Sequence, residues 1–121
     1  MSEQRTVTVQ TIDHGDVTIP EPSWCADSHD HQPEALCDIG HRGPEHRVEF
    51  YGYELSRAML VQDPFVVHSD RSIGALVEMG ELARALTPGE LDELAAVLVD
   101  YAGTLRRLAR QLSVLKAGEG Q

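Results

Sequence analysis

Residues 21–46 constrain this chain more than any other stretch. They show neither the period of a helix nor the alternation of a strand, and Pro22, Pro33, Gly40, Gly43 and Pro44 interrupt them. A loop of this length inside a compact domain is unusual unless something holds it. The same stretch contains both cysteines of the chain and four of its six histidines. Soft donors gathered where apolar patterning is missing point to a metal ion standing in for a core.

The spacing supports that reading. Cys25 and His29 form one C-x-x-x-H pair, Cys37 and His41 form a second, and His31 and His46 lie between and beyond them. Zn²⁺ takes thiolate and imidazole in tetrahedral geometry, and two of each is a closed set. The expected ligands are therefore Cys25, His29, Cys37 and His41, with His31 and His46 in reserve. Ordering a loop costs about 1–2 kcal/mol of backbone freedom per residue. Trp24, Leu36 and Ile39 are the few apolar side chains this loop offers in return. Structural zinc supplies an apparent ~10–16 kcal/mol. Trp24 is expected as a hydrophobic lid over the site. Three alternatives stay open: a Cys25–Cys37 disulfide, two inert thiols, or a catalytic zinc on Cys25, His29 and His41 with an open position. Asp27, Asp30 and Asp38 are candidate bases for the last by proximity alone.

Around the loop the chain is more regular. Thr6–Ile12 and Val17–Ile19 alternate about the turn sequence Asp13-His14-Gly15-Asp16, a hairpin pattern. Val48–Tyr53, Leu55–Val61 and Phe65–His68 read as further strands. Ser72–Met79 fits a strand with Ile73, Ala75, Val77 and Met79 inward, and fits a short helix nearly as well. Thr87-Pro88-Gly89-Glu90 has the pattern of a helix N-terminus: a capping Thr, Pro at the first helical position, and Glu three residues after the cap. Beyond it Leu91, Leu94, Leu98, Tyr101, Leu105, Leu108, Leu112 and Leu115 recur in alternating steps of three and four, a heptad seam. Acids at its start and bases at its end suit the helix dipole.

A chain of 121 residues is one domain by length. The expectation is an α+β domain spanning 1–121: an N-terminal hairpin (6–20), a metal-binding loop (21–46), a small antiparallel sheet (47–79) and one long C-terminal helix (87–116). A sheet this small has little area to cover the far end of such a helix. Leu105, Leu108, Leu112 and Leu115 are therefore the expected self-association surface, giving a homodimer.

Charge narrows the function. Residues 1–70 hold thirteen acids and four bases, a net of −9, and residues 71–121 hold seven and six, a net of −1. Nucleic-acid binding rests on Lys and Arg that neutralise phosphates, so a nucleic-acid-binding zinc domain is the least favoured class. The opening MSEQRTVTVQ lacks the apolar core of a signal peptide, and no apolar run reaches the ~18 residues of a membrane span. A cytoplasmic protein without membrane contact is expected, with its cysteines reduced.

Pro22-Ser23-Trp24-Cys25, His29, His41-Arg42-Gly43-Pro44 and the helix opening Leu86-Thr87-Pro88 together resemble an actinobacterial family of unknown function. Its members share a P-x-W-C-x-x-x-H opening, a later H-x-G and a C-terminal "LT-x-x-E" helix. The resemblance implies ligand positions at Cys25, His29 and His41, a streptomycete-like host or one of its mobile elements, and no activity. The leading expectation is a non-enzymatic, zinc-binding interaction or regulatory module with a protein partner. The alternative is a metal-dependent hydrolase with three protein ligands on zinc.

Overall fold

β1 (Thr6–Thr11) and β2 (Gly15–Pro20) pair antiparallel from Thr6↔Pro20 to Thr11↔Gly15. The turn closes on Thr11, whose hydroxyl donates to the Gly15 carbonyl and accepts from the His14 N–H. The computed structural model describes residues 5–119. These residues divide into two compact units, each continuous in contact though not in sequence. One comprises the chain up to Pro44 with Leu60–Gly74, the other Glu45–Met59 with the chain from Ala75 onward. The class is α+β, with small antiparallel sheets and one long C-terminal helix.

In the first unit, Val9 and Ile19 from the inner face of the hairpin pack on Ile39, with Val7, Val17, Leu36 and Phe65 around them. The long loop is laid along the hairpin rather than hung from it. Ile12 donates its N–H to the Glu34 carbonyl, and Asp13 accepts the Leu36 N–H where a short 3₁₀ turn, Leu36–Asp38, begins. β3 (His41–Arg42) then pairs antiparallel with Val61 and Gln62. Phe65–His68, expected as a strand, is turn and bend. Pro64 has no N–H to give a ladder, and Phe65 turns to the hairpin core instead.

The second unit is a hairpin and a helix. β4 (His46–Phe50) pairs with the start of β5 (Tyr53–Gln62), whose stretch to Met59 belongs here. Val48–Tyr53 is thus a hairpin and not one strand. Tyr51 and Gly52 have φ of 47° and 84°, the pair of left-handed residues that a two-residue turn matched to strand twist requires. β6 (Gly74–Met79) pairs with β5. Ile73, just before the strand, is buried as expected, but within the strand Leu76 is half-buried while Ala75, Val77 and Met79 are exposed, the reverse of the expected face. A period-two pattern with apolar residues on both sides leaves the register to the partner strand. Here Ser56 of β5 donates to the Glu78 carbonyl. Just after β6, Gly80 donates its N–H to the Leu55 carbonyl, and a Cβ there would lie 2.0 Å from the Glu54 carbonyl oxygen. Only glycine fits this approach.

α1 (Pro88–Glu119) packs on β4. Its start is a reciprocal capping box: Glu90 accepts the Thr87 N–H, and Thr87 Oγ1 accepts the Glu90 N–H. The heptad seam splits into two rows. Tyr101 and Leu108 are buried and Leu94 and Leu115 half-buried, whereas Leu91 and Leu98 are 54% and 48% exposed and Leu105 and Leu112 half-buried. Leu108 is only 5% exposed, so it serves the chain's own core and is withdrawn from the expected interface. Between helix and sheet, the Tyr101 and Ser56 hydroxyls lie 2.8 Å apart. Ser56 gives its proton to the Glu78 carbonyl, so the Tyr101 hydroxyl is the donor between them.

Candidate metal centre

The end of β2, the turn that follows it and β3 bring four side chains together: Glu21, Cys25, His29 and His41. All four are buried, and one donor atom from each lies within 4.8 Å of the others. Each is placed by a local device. Glu21 extends the hairpin ladder by donating its N–H to the Arg5 carbonyl, which continues the inward face of Val17 and Ile19 to a carboxylate. A turn closed by the Cys25 N–H on the Pro22 carbonyl carries the thiol beneath it, and the Arg5 guanidinium donates to the carbonyls of Pro22 and Cys25. His29 sits in the left-handed region, φ 58°. That conformation is costly for a residue with a Cβ, and Asp27 secures it by accepting the His29 N–H at 3.0 Å. His41 is held by its pairing with Gln62.

The geometry is that of donors converging on one point. Glu21 Oε2 lies 3.0 Å from His29 Nε2, Glu21 Oε1 lies 3.2 Å from His41 Nδ1, and Cys25 Sγ lies 3.8 Å from His29 Nε2. The two imidazoles meet edge to face at 5.7 Å, and Trp24 packs edge-on against His41 at 6.3 Å, as a lid would. Glu21 Oε1, His41 Nδ1 and His29 Nδ1 nevertheless have no hydrogen-bond partner. Each buried polar atom left so costs about 1–3 kcal/mol. An ion among these donors would satisfy Glu21 Oε1 and His41 Nδ1 at once. Burial, then the Glu21 carboxylate, push the Cys25 thiol up from its ordinary value, and burial holds His41 low against the pull of Glu21. A divalent cation would reverse the first effect, since a coordinating thiol is deprotonated. The thiolate and the carboxylate would then cancel the ion's two charges, removing the main objection to burying it. A buried Glu-Cys-His-His group of this kind can hold a metal ion.

The structure thus brings together three of the expected ligands, Cys25, His29 and His41, and puts Glu21 where Cys37 was expected. Cys37 is exposed, its thiol 3.8 Å from Asp38. The cause is local: Leu36 and Ile39, three apart across the 3₁₀ turn, both face inward, so Cys37 and Asp38 between them point out. The two cysteines are free, so the disulfide alternative is set aside. His31 is exposed and lies outside this group, though near His29. His46 belongs to β4 of the second unit, opposite Ala58.

A family model matches residues 6–114, from the first strand into the last helix. The chain belongs to the DUF6907 family, a domain of unknown function. No curated protein and no solved structure matches it. Among the described residues of this DUF6907 chain, no helix is long and apolar enough to cross a membrane.

Proposed function

We propose that this DUF6907 domain is a non-enzymatic zinc-binding module in which Glu21, Cys25, His29 and His41 hold one Zn²⁺ as a structural ion. The observation that carries the reading is the buried pair Glu21 Oε1 and His41 Nδ1, which face each other at 3.2 Å without a hydrogen bond beside Cys25 and His29. Sulfur, nitrogen and oxygen donors in a group of four suit zinc's closed tetrahedral sites. Its role is to pin the loop onto the hairpin and so present an acidic surface to a protein partner. Self-association, in this reading, uses the less covered row of α1, with Leu91 and Leu98 exposed and Leu105 and Leu112 half-buried. Native mass spectrometry of the purified chain tests both claims. One Zn²⁺ per chain, lost in Cys25→Ser, is expected, and a wild-type chain that takes no zinc sinks the reading. The same spectrum shows whether Leu98→Asp removes a dimer.

One observation favours the hydrolase alternative. A cavity of about 370 Å³, lined by Pro20, Pro22, Gln62, Pro64 and Phe65, borders His41. An open coordination position on that side would give a substrate access to the ion. Glu21 then decides: as a permanent ligand it closes the site, and as a base it leaves the position open. Glu21→Gln should weaken zinc binding in the first case, and in the second spare the zinc while abolishing hydrolysis of an activated ester.

A further inference from the structure

His29 also belongs to a second group of donors. One donor atom each from Asp27, His29 and His31 lie within 4.8 Å of one another. His29 Nε2 is committed to the first group, 3.0 Å from Glu21 and 3.8 Å from the Cys25 sulfur. Its other nitrogen, Nδ1, is without a hydrogen-bond partner on a side chain only 2% exposed. His31 has its tautomer set from outside. Its Nδ1 lies 2.9 Å from the Gln32 carbonyl, which can only accept, and 3.1 Å from Glu34 Oε1. The proton is therefore on Nδ1, and the lone pair of Nε2 is available. Histidines that ligate metals have their second nitrogen oriented in this way.

The surroundings suit a cation. A cavity of about 140 Å³ is lined by Asp27, His31, Glu34, Asp38, Asp63 and Arg42. Its four carboxylates outweigh one guanidinium, and no sulfur is among its lining residues. We propose that Asp27, His29 and His31 form a second divalent-cation site, with two imidazoles and one carboxylate as ligands and its remaining positions open to the acidic cavity. Imidazole and carboxylate together suit first-row cations such as Mn²⁺, whereas thiolate draws zinc to the first group. His29 bridges the two sites, one nitrogen to each. The second site does not depend on which ion the first group holds.

The test uses the whole chain loaded with one equivalent of Zn²⁺ and titrated with Mn²⁺, free Mn²⁺ being followed by electron paramagnetic resonance. The wild-type chain should take up one Mn²⁺. His31→Gln and Asp27→Asn should each weaken that uptake by about 10-fold or more, His31→Gln while retaining its zinc. Absence of saturable Mn²⁺ uptake by the wild-type chain overturns the proposal. So does uptake that both variants leave unchanged, which is diffuse binding by an acidic surface. A wild-type chain that takes no zinc defeats the reading of the first group alone, and the same Mn²⁺ titration still decides this one.

Discussion

The two units of this protein handle buried polarity in opposite ways. In the second, the buried hydroxyls of Ser56 and Tyr101 form a complete chain ending on a backbone carbonyl. In the first, Glu21, His29 and His41 supply all the buried side-chain polar atoms that lack a partner among the described residues. The apolar cores differ less: Val9, Ile19 and Ile39 anchor one, and Phe50, Leu55, Met59, Tyr101 and Leu108 are buried in the other. The second unit is finished by its own atoms. The first leaves polar atoms unpartnered, all of them on three residues of one cluster that could hold a metal ion.

The largest test of this contrast is removal of the proposed zinc. Chelation, or Cys25→Ser, should expose the amides of residues 21–46 to rapid hydrogen exchange while those of α1 keep their protection, because the binding energy of a structural zinc, an apparent ~10–16 kcal/mol, is folding energy. Equal loss of protection in both units would erase the distinction. Tyr101→Ala should act the other way. Losing a buried aromatic costs about 3–5 kcal/mol, read as a lowered midpoint in urea, while zinc stoichiometry stays at the wild-type value.

A smaller effect follows from Cys25. Its thiol is pushed up by burial and so carries a proton that zinc must displace, whereas His41, held low by burial, is already neutral at pH 7. Zinc affinity should therefore rise about tenfold per pH unit around neutrality, one proton leaving per ion bound. A competition titration with a chromophoric chelator measures this, and a flat profile would mean the sulfur is not a ligand. Thr87→Ala removes one half of the capping box and should cost about 1 kcal/mol, again seen in urea and again without effect on zinc. Cys37→Ser should do least, within about 0.5 kcal/mol in stability and with zinc content unchanged.

The heptad seam was visible because helical neighbours are close in sequence, yet which of its two rows is covered was not. Leu91 and Leu108 look alike until a sheet packs on one side. Cys37 repeats the spacing of Cys25, and only the inward turn of Leu36 and Ile39 shows why it points away. Glu21 was missed although a signal for it exists. It follows Val17 and Ile19 at strand period, which places a carboxylate on a face otherwise apolar, and a charge there needs a partner.

By itself, the sequence determined the α+β class, the loop as the place where soft donors gather, and the capped, long C-terminal helix. These rest on periodicity, composition and caps, which act over a few residues. Tertiary structure alone decided that Glu21 joins Cys25, His29 and His41, that His31 faces an acidic cavity, and that Leu108 is core. Each of those outcomes requires side chains far apart in the chain to meet, and their meeting is set by how strands pair and pack rather than by any local preference.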